Sequence, residues 1–114
     1  MHYTQISPDL YISGQIEEDD IADLVRLGIK TVICHRLDGE DIGQPDFADL
    51  AAKIRAAGIA HTYHQPIASA SAINSDTALL FQHILQESEL PALAFCRSGH
   101  RSAIVCSLLP DDDE

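Results

Sequence analysis

The sequence is poor in basic residues. It contains 7 Lys and Arg against 18 Asp and Glu, which gives a formal net charge of -11. A protein whose main partner is nucleic acid or an anionic membrane surface needs a broad positive field. The composition therefore argues against both partners, and any attraction to an anion must be local.

Cysteines and long apolar runs are also scarce. The cysteines Cys34, Cys96 and Cys106 are too few and too widely spaced for a disulfide framework, which indicates free thiols in a reducing compartment. No apolar segment is long enough to cross a bilayer, and residues 1–13 lack the basic and then apolar pattern of a secretory signal. We therefore expect a cytoplasmic protein with no membrane partner.

The 114 residues fit one domain. A hydrophobic content of 46% supports a single core, and the sequence contains no internal repeat or low-complexity linker. We assign residues 1–110 to this domain. Residues 111–114, which follow Pro110 and are all acidic, are predicted to form a solvated acidic tail.

Patterns typical of short strands alternate with patterns typical of amphipathic helices. An opening hairpin is predicted around residues 7–9, and a last helix is predicted to start near Ser102, which can cap it, and to end by Leu109. Between them we predict helices at 18–27, 45–57 and 75–87, and strands at 31–34, 59–64 and 90–95. This order indicates a three-layer α/β fold, with helices on both faces of a mostly parallel sheet of four to five strands.

The segment 95–102, Phe-Cys-Arg-Ser-Gly-His-Arg-Ser, joins the last predicted strand to the last predicted helix. In such sheets, ligands bind beyond the carboxyl ends of the strands. Gly99 allows a sharp turn that aims successive backbone amides at one anion, and the start of the helix adds a positive dipole end. This field favours a Cys96 thiolate, while Arg101 offers a planar pair of donors to an oxyanion. The alternative is a buried structural cysteine beside an ordinary turn.

The loop therefore predicts a covalent mechanism. We predict that Cys96 is the nucleophile, that Arg101 clamps the anion, and that Ser102 donates a hydrogen bond to the sulfur when it leaves. A cradle for the anion is predicted from the loop residues Arg97, Ser98, Gly99 and His100.

Two families have similar loops. The loop resembles the active-site loop of protein tyrosine and dual-specificity phosphatases, and the pattern C-R-S-G-x-R-S is common in rhodanese-type sulfurtransferases. Residues 9–15 (DLYISGQ) and 31–40 (TVICHRLDGE) resemble the phosphatase-like domain of beta-lactamase-hydrolase-like proteins, a bacterial family, and this resemblance extends from about Ile6 to Leu109. It implies a dual-specificity-phosphatase-like fold and a hydrolase that forms a cysteinyl-phosphate intermediate.

Other features favour sulfur transfer. Four residues separate Cys96 from Arg101, where classical phosphatases have five, and the shorter spacing matches rhodanese loops, which carry a persulfide. Phe95 stands where tyrosine phosphatases have a histidine, and residues 66–74 contain no carboxylate at the usual place of the general acid. A rhodanese-like sulfurtransferase thus stays open as an alternative, as does a weak or inactive anion-binding domain. The candidate acids or pocket residues are Asp76, Asp38, Glu40 and Arg36, and His100 is a further substitute for the acid.

The expected substrate is small and anionic, either a phosphate ester or a sulfane-sulfur donor. We expect no cofactor and no metal site, because His61 and His64 are offset by three on a predicted strand and so point to opposite faces. Self-association is left open, because the last helix spans only about two turns before Pro110.

Overall fold

One five-stranded sheet organises the computed structural model, which describes residues 1–110. The strand order is β1-β2-β5-β3-β4; β1 pairs with β2 in antiparallel fashion, and every other pair is parallel. The acidic tail predicted at 111–114 lies outside the described residues. The strands are β1 (Tyr3–Ser7), β2 (Leu10–Ser13), β3 (Thr31–Cys34), β4 (His61–His64) and β5 (Ala92–Phe95).

Four α-helices cover the two faces of this sheet. A 3-10 turn at Glu18–Asp20 precedes the first of them, and no helix within residues 1–110 combines the length and apolarity needed to cross a membrane. The predicted three-layer α/β fold is confirmed. The helices are α1 (Ile21–Arg26), α2 (Phe47–Ala56), α3 (Ser75–Glu87) and α4 (His100–Ser107).

The alternation of side chains along β3 and β5 builds two separate cores. Val32 and Leu93 pack on one face of the sheet with the buried residues of α1 and α2, whereas Ile33 and Ala94 pack on the other face with those of α3 and α4. All four of these side chains are fully buried. The central strands are therefore apolar on both sides, as parallel strands between helical layers usually are.

Helix α3 begins at Ser75, as predicted, and its cap is Asn74, whose Oδ1 accepts from the Thr77 amide at 3.1 Å. The predicted start of the last helix is wrong. Helix α4 begins at His100, so Ser102 neither starts nor caps it. Gly99 has a φ of +92°, and this left-handed conformation turns the chain directly into the helix.

The carboxyl ends of four strands meet at one edge of the sheet. The register places these strand ends side by side: Ser13, Phe95, Cys34 and His64. The residues that follow them therefore lie along the same edge: Gly14, Cys96, His35 and Gln65. Binding sites of parallel sheets form at such an edge.

We predict that Gly99→Ala destabilises the fold more than Gly58→Ala. Both glycines have positive φ values, +92° and +103°, so both substitutions introduce left-handed strain of about 1–2 kcal/mol. A Cβ at Gly99 would also lie 3.3 Å from the Ser13 carbonyl oxygen, whereas a Cβ at Gly58 meets nothing within 4 Å. Urea unfolding should show an extra loss of about 1 kcal/mol for Gly99→Ala. Equal losses would contradict this packing constraint.

Candidate active site

Cys96 lies at the end of β5 and is 1% exposed. Its sulfur accepts a hydrogen bond from the Gly99 amide at 3.1 Å, and its own amide donates to the Ser13 carbonyl at 3.4 Å. A hydrogen-bond donor is stronger toward a charged acceptor than toward a neutral one. The loop thus has the turn that the sequence predicts, with Gly99 folded back over the nucleophile.

The segment after β2 holds the loop from outside. The Gln15 amide donates to the Arg97 carbonyl at 3.1 Å, and a Cβ at Gly14 would lie 3.1 Å from the same oxygen. A side chain at this position would press on that oxygen, so glycine suits the close approach. Residues 14–15 therefore hold the loop in place, while Ser98 and His100 are exposed.

The first turn of α4 contributes backbone donors. The first backbone hydrogen bond of this helix runs from the Ala103 amide to the Gly99 carbonyl at 2.9 Å, so the amides of residues 100–102 precede the helical ladder. One of them, that of His100, donates to Ser98 Oγ at 3.3 Å. This end of the helix carries a partial positive charge that favours an anion.

Arg101 is oriented by a carboxylate and a carbonyl. Its Nη1 and Nη2 donate to the two oxygens of Glu40 at 2.7 Å and 2.8 Å, and Nη1 also donates to the Ile67 carbonyl at 2.7 Å. The pKa of Arg101 is raised, first by Glu40 and to a smaller extent by the Cys96 sulfur, so the guanidinium lies beside the nucleophile.

The remaining donors of Arg101 form one edge. A guanidinium has five N–H groups, and Glu40 and Ile67 take three of them. Within residues 1–110, no oxygen acceptor takes the Nε–H or the second Nη2–H, and the Cys96 sulfur is a further hydrogen-bond partner of the guanidinium. These two parallel donors match two oxygens of a tetrahedral anion.

A second arginine fixes the carboxylates. Arg36, whose side chain is 3% exposed, donates to Glu40 at 2.8 Å, to Gln15 at 2.7 Å and to Asp41. Asp41 also pairs with Arg97 at 3.1 Å. Three arginines and two carboxylates thus form one network, which leaves a local positive excess in a chain of strongly negative net charge.

The structure assigns contacts to each candidate acid. Hydrogen bonds from Arg101 and then Arg36 lower the pKa of Glu40 to about 2, so this carboxylate is ionised at neutral pH and cannot serve there as a proton donor. Asp38 accepts from the Phe47 amide at 2.9 Å, which ties it to the start of α2. Asp76 is exposed in the first turn of α3 and lines a hollow of about 380 Å³ together with Ile67.

Sequence reasoning missed His35. Its side chain is fully buried, and its Nδ1 lies 2.9 Å from Ser102 Oγ, the residue that we predicted to act on the sulfur. Burial lowers the pKa of His35 to about 4. The signal that pointed to it was its place directly after β3, at the strand edge where Cys96 follows β5.

The other two cysteines are unreactive by comparison with an activated thiol. Burial raises the pKa of Cys34 and that of Cys106 to about 12. Within residues 1–110, no cluster of three or more His, Cys, Asp or Glu side chains has a geometry that would hold a metal ion.

A family model matches this fold and loop. The model described as beta-lactamase hydrolase-like protein, phosphatase-like domain, matches residues 2–110. The chain belongs to this family. It is 32% identical over 108 residues to the beta-lactamase hydrolase-like protein of Xylella fastidiosa strain 9a5c, a match that covers 95% of this chain and 25% of the relative. The chain therefore spans about a quarter of the length of this curated relative.

Solved structures of phosphatase-like proteins share the fold of this family member. A crystal structure of a candidate phosphatase from Neisseria meningitidis Z2491 matches with a TM-score of 0.86 and 36% identity, over 90% of this chain and 71% of that one. TpbA of P. aeruginosa, solved in complex with pTyr, matches with a TM-score of 0.62 and 23% identity, over 85% of this chain and 54% of that one. The resemblance to the phosphatase-like domain of beta-lactamase-hydrolase-like proteins, predicted from the sequence, is confirmed.

We predict that Glu40→Gln destabilises the domain, because Arg101 and Arg36 lose a charged hydrogen-bond partner. The pKa of Glu40 is about 2, against an ordinary 4.5, so its stabilisation is present above pH 4.5 and is lost as the pH falls toward 2.

The measurement is urea unfolding from pH 7 to pH 2. The free-energy difference between the unaltered protein and Glu40→Gln should shrink across the acidic range. Glu87→Gln, at the exposed end of α3, is the control and should show no such convergence. If the curves for the unaltered protein and Glu40→Gln stay parallel down to pH 2, Glu40 does not carry this ion pair.

Proposed function

We propose that this domain is a cysteine-dependent phosphatase-like hydrolase. The observation that carries the proposal is the Nε–Nη2 edge of Arg101, which Glu40 and Ile67 leave open and hold beside the Cys96 sulfur. A phosphoryl group in transfer spreads negative charge over equatorial oxygens. A rigid pair of parallel donors stabilises that charge without reorganisation.

The reaction takes two steps. The Cys96 thiolate attacks phosphorus, a sulfur–phosphorus bond forms, and the ester oxygen leaves with the bonding electron pair and a proton. Water then attacks the cysteinyl-phosphate, the sulfur–phosphorus bond breaks, and phosphate is released as the thiolate is restored. In both steps Arg101 and the amides at the start of α4 hold the oxygens, and this is the role we propose for Arg97, Ser98, Gly99 and His100 as the backbone of the cradle.

Asp76 is the carboxylate that best suits the general acid. Glu40 is ionised in its ion pairs, and Asp38 is bound to the start of α2. Asp76 lines the hollow formed by the segment after β4, whose Ile67 carbonyl contacts Arg101. A proton donor reaching the leaving oxygen from this hollow would complete the first step.

The proposed substrate is a small phosphate monoester. Two of the three arginines near the loop, Arg36 and Arg97, are paired with Asp41. The positive excess then suits one phosphoryl group rather than a polyanion. The relative TpbA was solved with pTyr, a ligand that carries a single phosphate.

The second candidate is a sulfurtransferase, which the four-residue spacing between Cys96 and Arg101 favours. In that reaction the thiolate takes the outer sulfur of thiosulfate, releasing sulfite and forming a persulfide. Cyanide or a thiol then removes that sulfur and restores the thiolate. Both reactions use the same nucleophile, so the two functions are distinguished by which substrate the protein turns over.

We predict that the purified protein releases phosphate from an aryl phosphate and that Cys96→Ser abolishes this release. Thiosulfate with cyanide, assayed beside it for thiocyanate, tests the alternative. Cys106→Ser is the control, because burial raises the pKa of that thiol to about 12 and it lies on the buried face of α4. Thiocyanate formation that depends on Cys96, without phosphate release, would establish the sulfurtransferase instead.

We also predict that the effect of Asp76→Asn depends on the leaving group. General acid catalysis contributes about 10²–10⁴ in rate where the leaving oxygen is basic. Turnover of an alkyl phosphate should therefore fall at least tenfold more than turnover of p-nitrophenyl phosphate, whose leaving group needs no proton. Asp49→Asn, on α2, serves as the control. A uniform loss with both substrates would remove Asp76 from the role of acid.

A further inference from the structure

A chain of buried polar side chains runs behind the catalytic loop. Ser102, His35 and Gln65 are each at most 5% exposed. Ser102 Oγ lies 2.9 Å from His35 Nδ1, and His35 Nε2 lies 3.1 Å from Gln65 Oε1. At the far end, Gln65 Nε2 donates to the Thr77 carbonyl at 3.0 Å. The chain therefore connects the first turn of α4 to α3.

The Thr77 carbonyl fixes the position of every proton in this chain. A carbonyl only accepts, so the Gln65 nitrogen faces Thr77 and its Oε1 faces His35. Since Oε1 also only accepts, His35 Nε2 carries a hydrogen. Burial lowers the pKa of His35 to about 4, so the ring is neutral at pH 7 and its Nδ1 is an acceptor. The Ser102 hydroxyl consequently donates its proton to His35.

His35 also lies next to the nucleophile. Cys34 pairs with Phe95 in register, and the ladder continues with the His35 amide donating to the Phe95 carbonyl at 2.8 Å. Cys96 and His35 thus follow paired residues on adjacent strands, which lie about 4.8 Å apart in a sheet. The His35 carbonyl accepts from the Ile67 amide at 2.9 Å, and the Ile67 carbonyl holds Arg101.

We propose that His35 is a positioning residue for the reaction at Cys96, acting through Ser102. His35 Nδ1 accepts a hydrogen bond from the Ser102 hydroxyl. This contact holds the Ser102 side chain in one orientation, next to Arg101 at the start of α4. Because Ser102 lies in the first turn of α4, this contact fixes Arg101 and the backbone amides that surround the Cys96 sulfur. The effect on turnover rests on the proposed function, whereas the effect on the reactivity of the thiol does not.

Two amide substitutions separate the two nitrogens of His35. Asn ends at about the depth of Nδ1 and keeps an acceptor for Ser102, whereas Gln ends at about the depth of Nε2 and keeps only the contact with Gln65. The measurements are the rate of Cys96 alkylation by iodoacetamide, read by peptide mass spectrometry, and kcat with an aryl phosphate. We expect His35→Gln to lower both about tenfold and His35→Asn to stay within about threefold of the unaltered protein.

A double-mutant cycle with Ser102→Ala tests the route of the effect. If His35 acts through Ser102, the double variant His35→Gln/Ser102→Ala is no worse than Ser102→Ala alone. A loss of about 100-fold in the double variant, the product of the two single losses, would overturn the proposal. Equal losses for His35→Gln and His35→Asn would also overturn it and would indicate that His35 only packs in the core. If His35→Gln does not fold, Gln65→Met, which removes the acceptor that fixes the hydrogen on His35 Nε2, is paired with Ser102→Ala in the same double-mutant cycle.

The rate of Cys96 alkylation tests this inference independently of the proposed function. If no variant hydrolyses a phosphate ester but the alkylation rates follow the cycle, the phosphatase assignment fails and the role of His35 stands. If hydrolysis depends on Cys96 but the alkylation rate and kcat are unchanged by the substitutions at His35, the proposed phosphatase function is supported and the proposed role of His35 is wrong.

Discussion

The bidentate ion pair between Arg101 and Glu40 is the interaction on which the rest of the site depends. Arg101 comes from α4, Glu40 from the loop after β3, and the Ile67 carbonyl from the segment after β4. Three separate strand-to-helix connections therefore meet at one guanidinium. Because the side chain of Arg101 is only 12% exposed, it needs these partners to offset its lost hydration.

A carboxylate beside an anion site also opposes the anion, and Arg36 offsets that effect. Its buried guanidinium pairs with Glu40 and Asp41 and so compensates the negative charge of both carboxylates. The network thus orients Arg101 without making the cradle negative. A protein with a net charge of -11 can attract an anion only through such local compensation.

The sequence predicts the parts of this site that depend on local pattern. Strand and helix periodicity defined the layers, and the spacing of Cys96, Gly99 and Arg101 identified the loop. The sequence did not predict that Glu40 contacts Arg101, which lies 61 positions along the chain, or that His35 binds Ser102. Both contacts depend on the order of strands in the sheet. Ser102 was misread as a cap because a hydroxyl near a helix start has the same local pattern whether it caps the backbone or binds a distant ring.

The orientation of Arg101 bears on the choice between phosphoryl and sulfur transfer. A persulfide carries its charge on a single terminal sulfur, which a lone amide such as that of Gly99 can stabilise. A phosphoryl group in transfer carries charge on several oxygens, and these match a planar pair of donors. Fixing Arg101 with two carboxylate oxygens and a carbonyl would add little to a persulfide carrier. The spacing of the loop favours sulfur transfer, whereas the fixed pair of donors on Arg101 favours a reaction in which charged oxygens stay at the site in both steps, as they do in the proposed phosphoryl transfer.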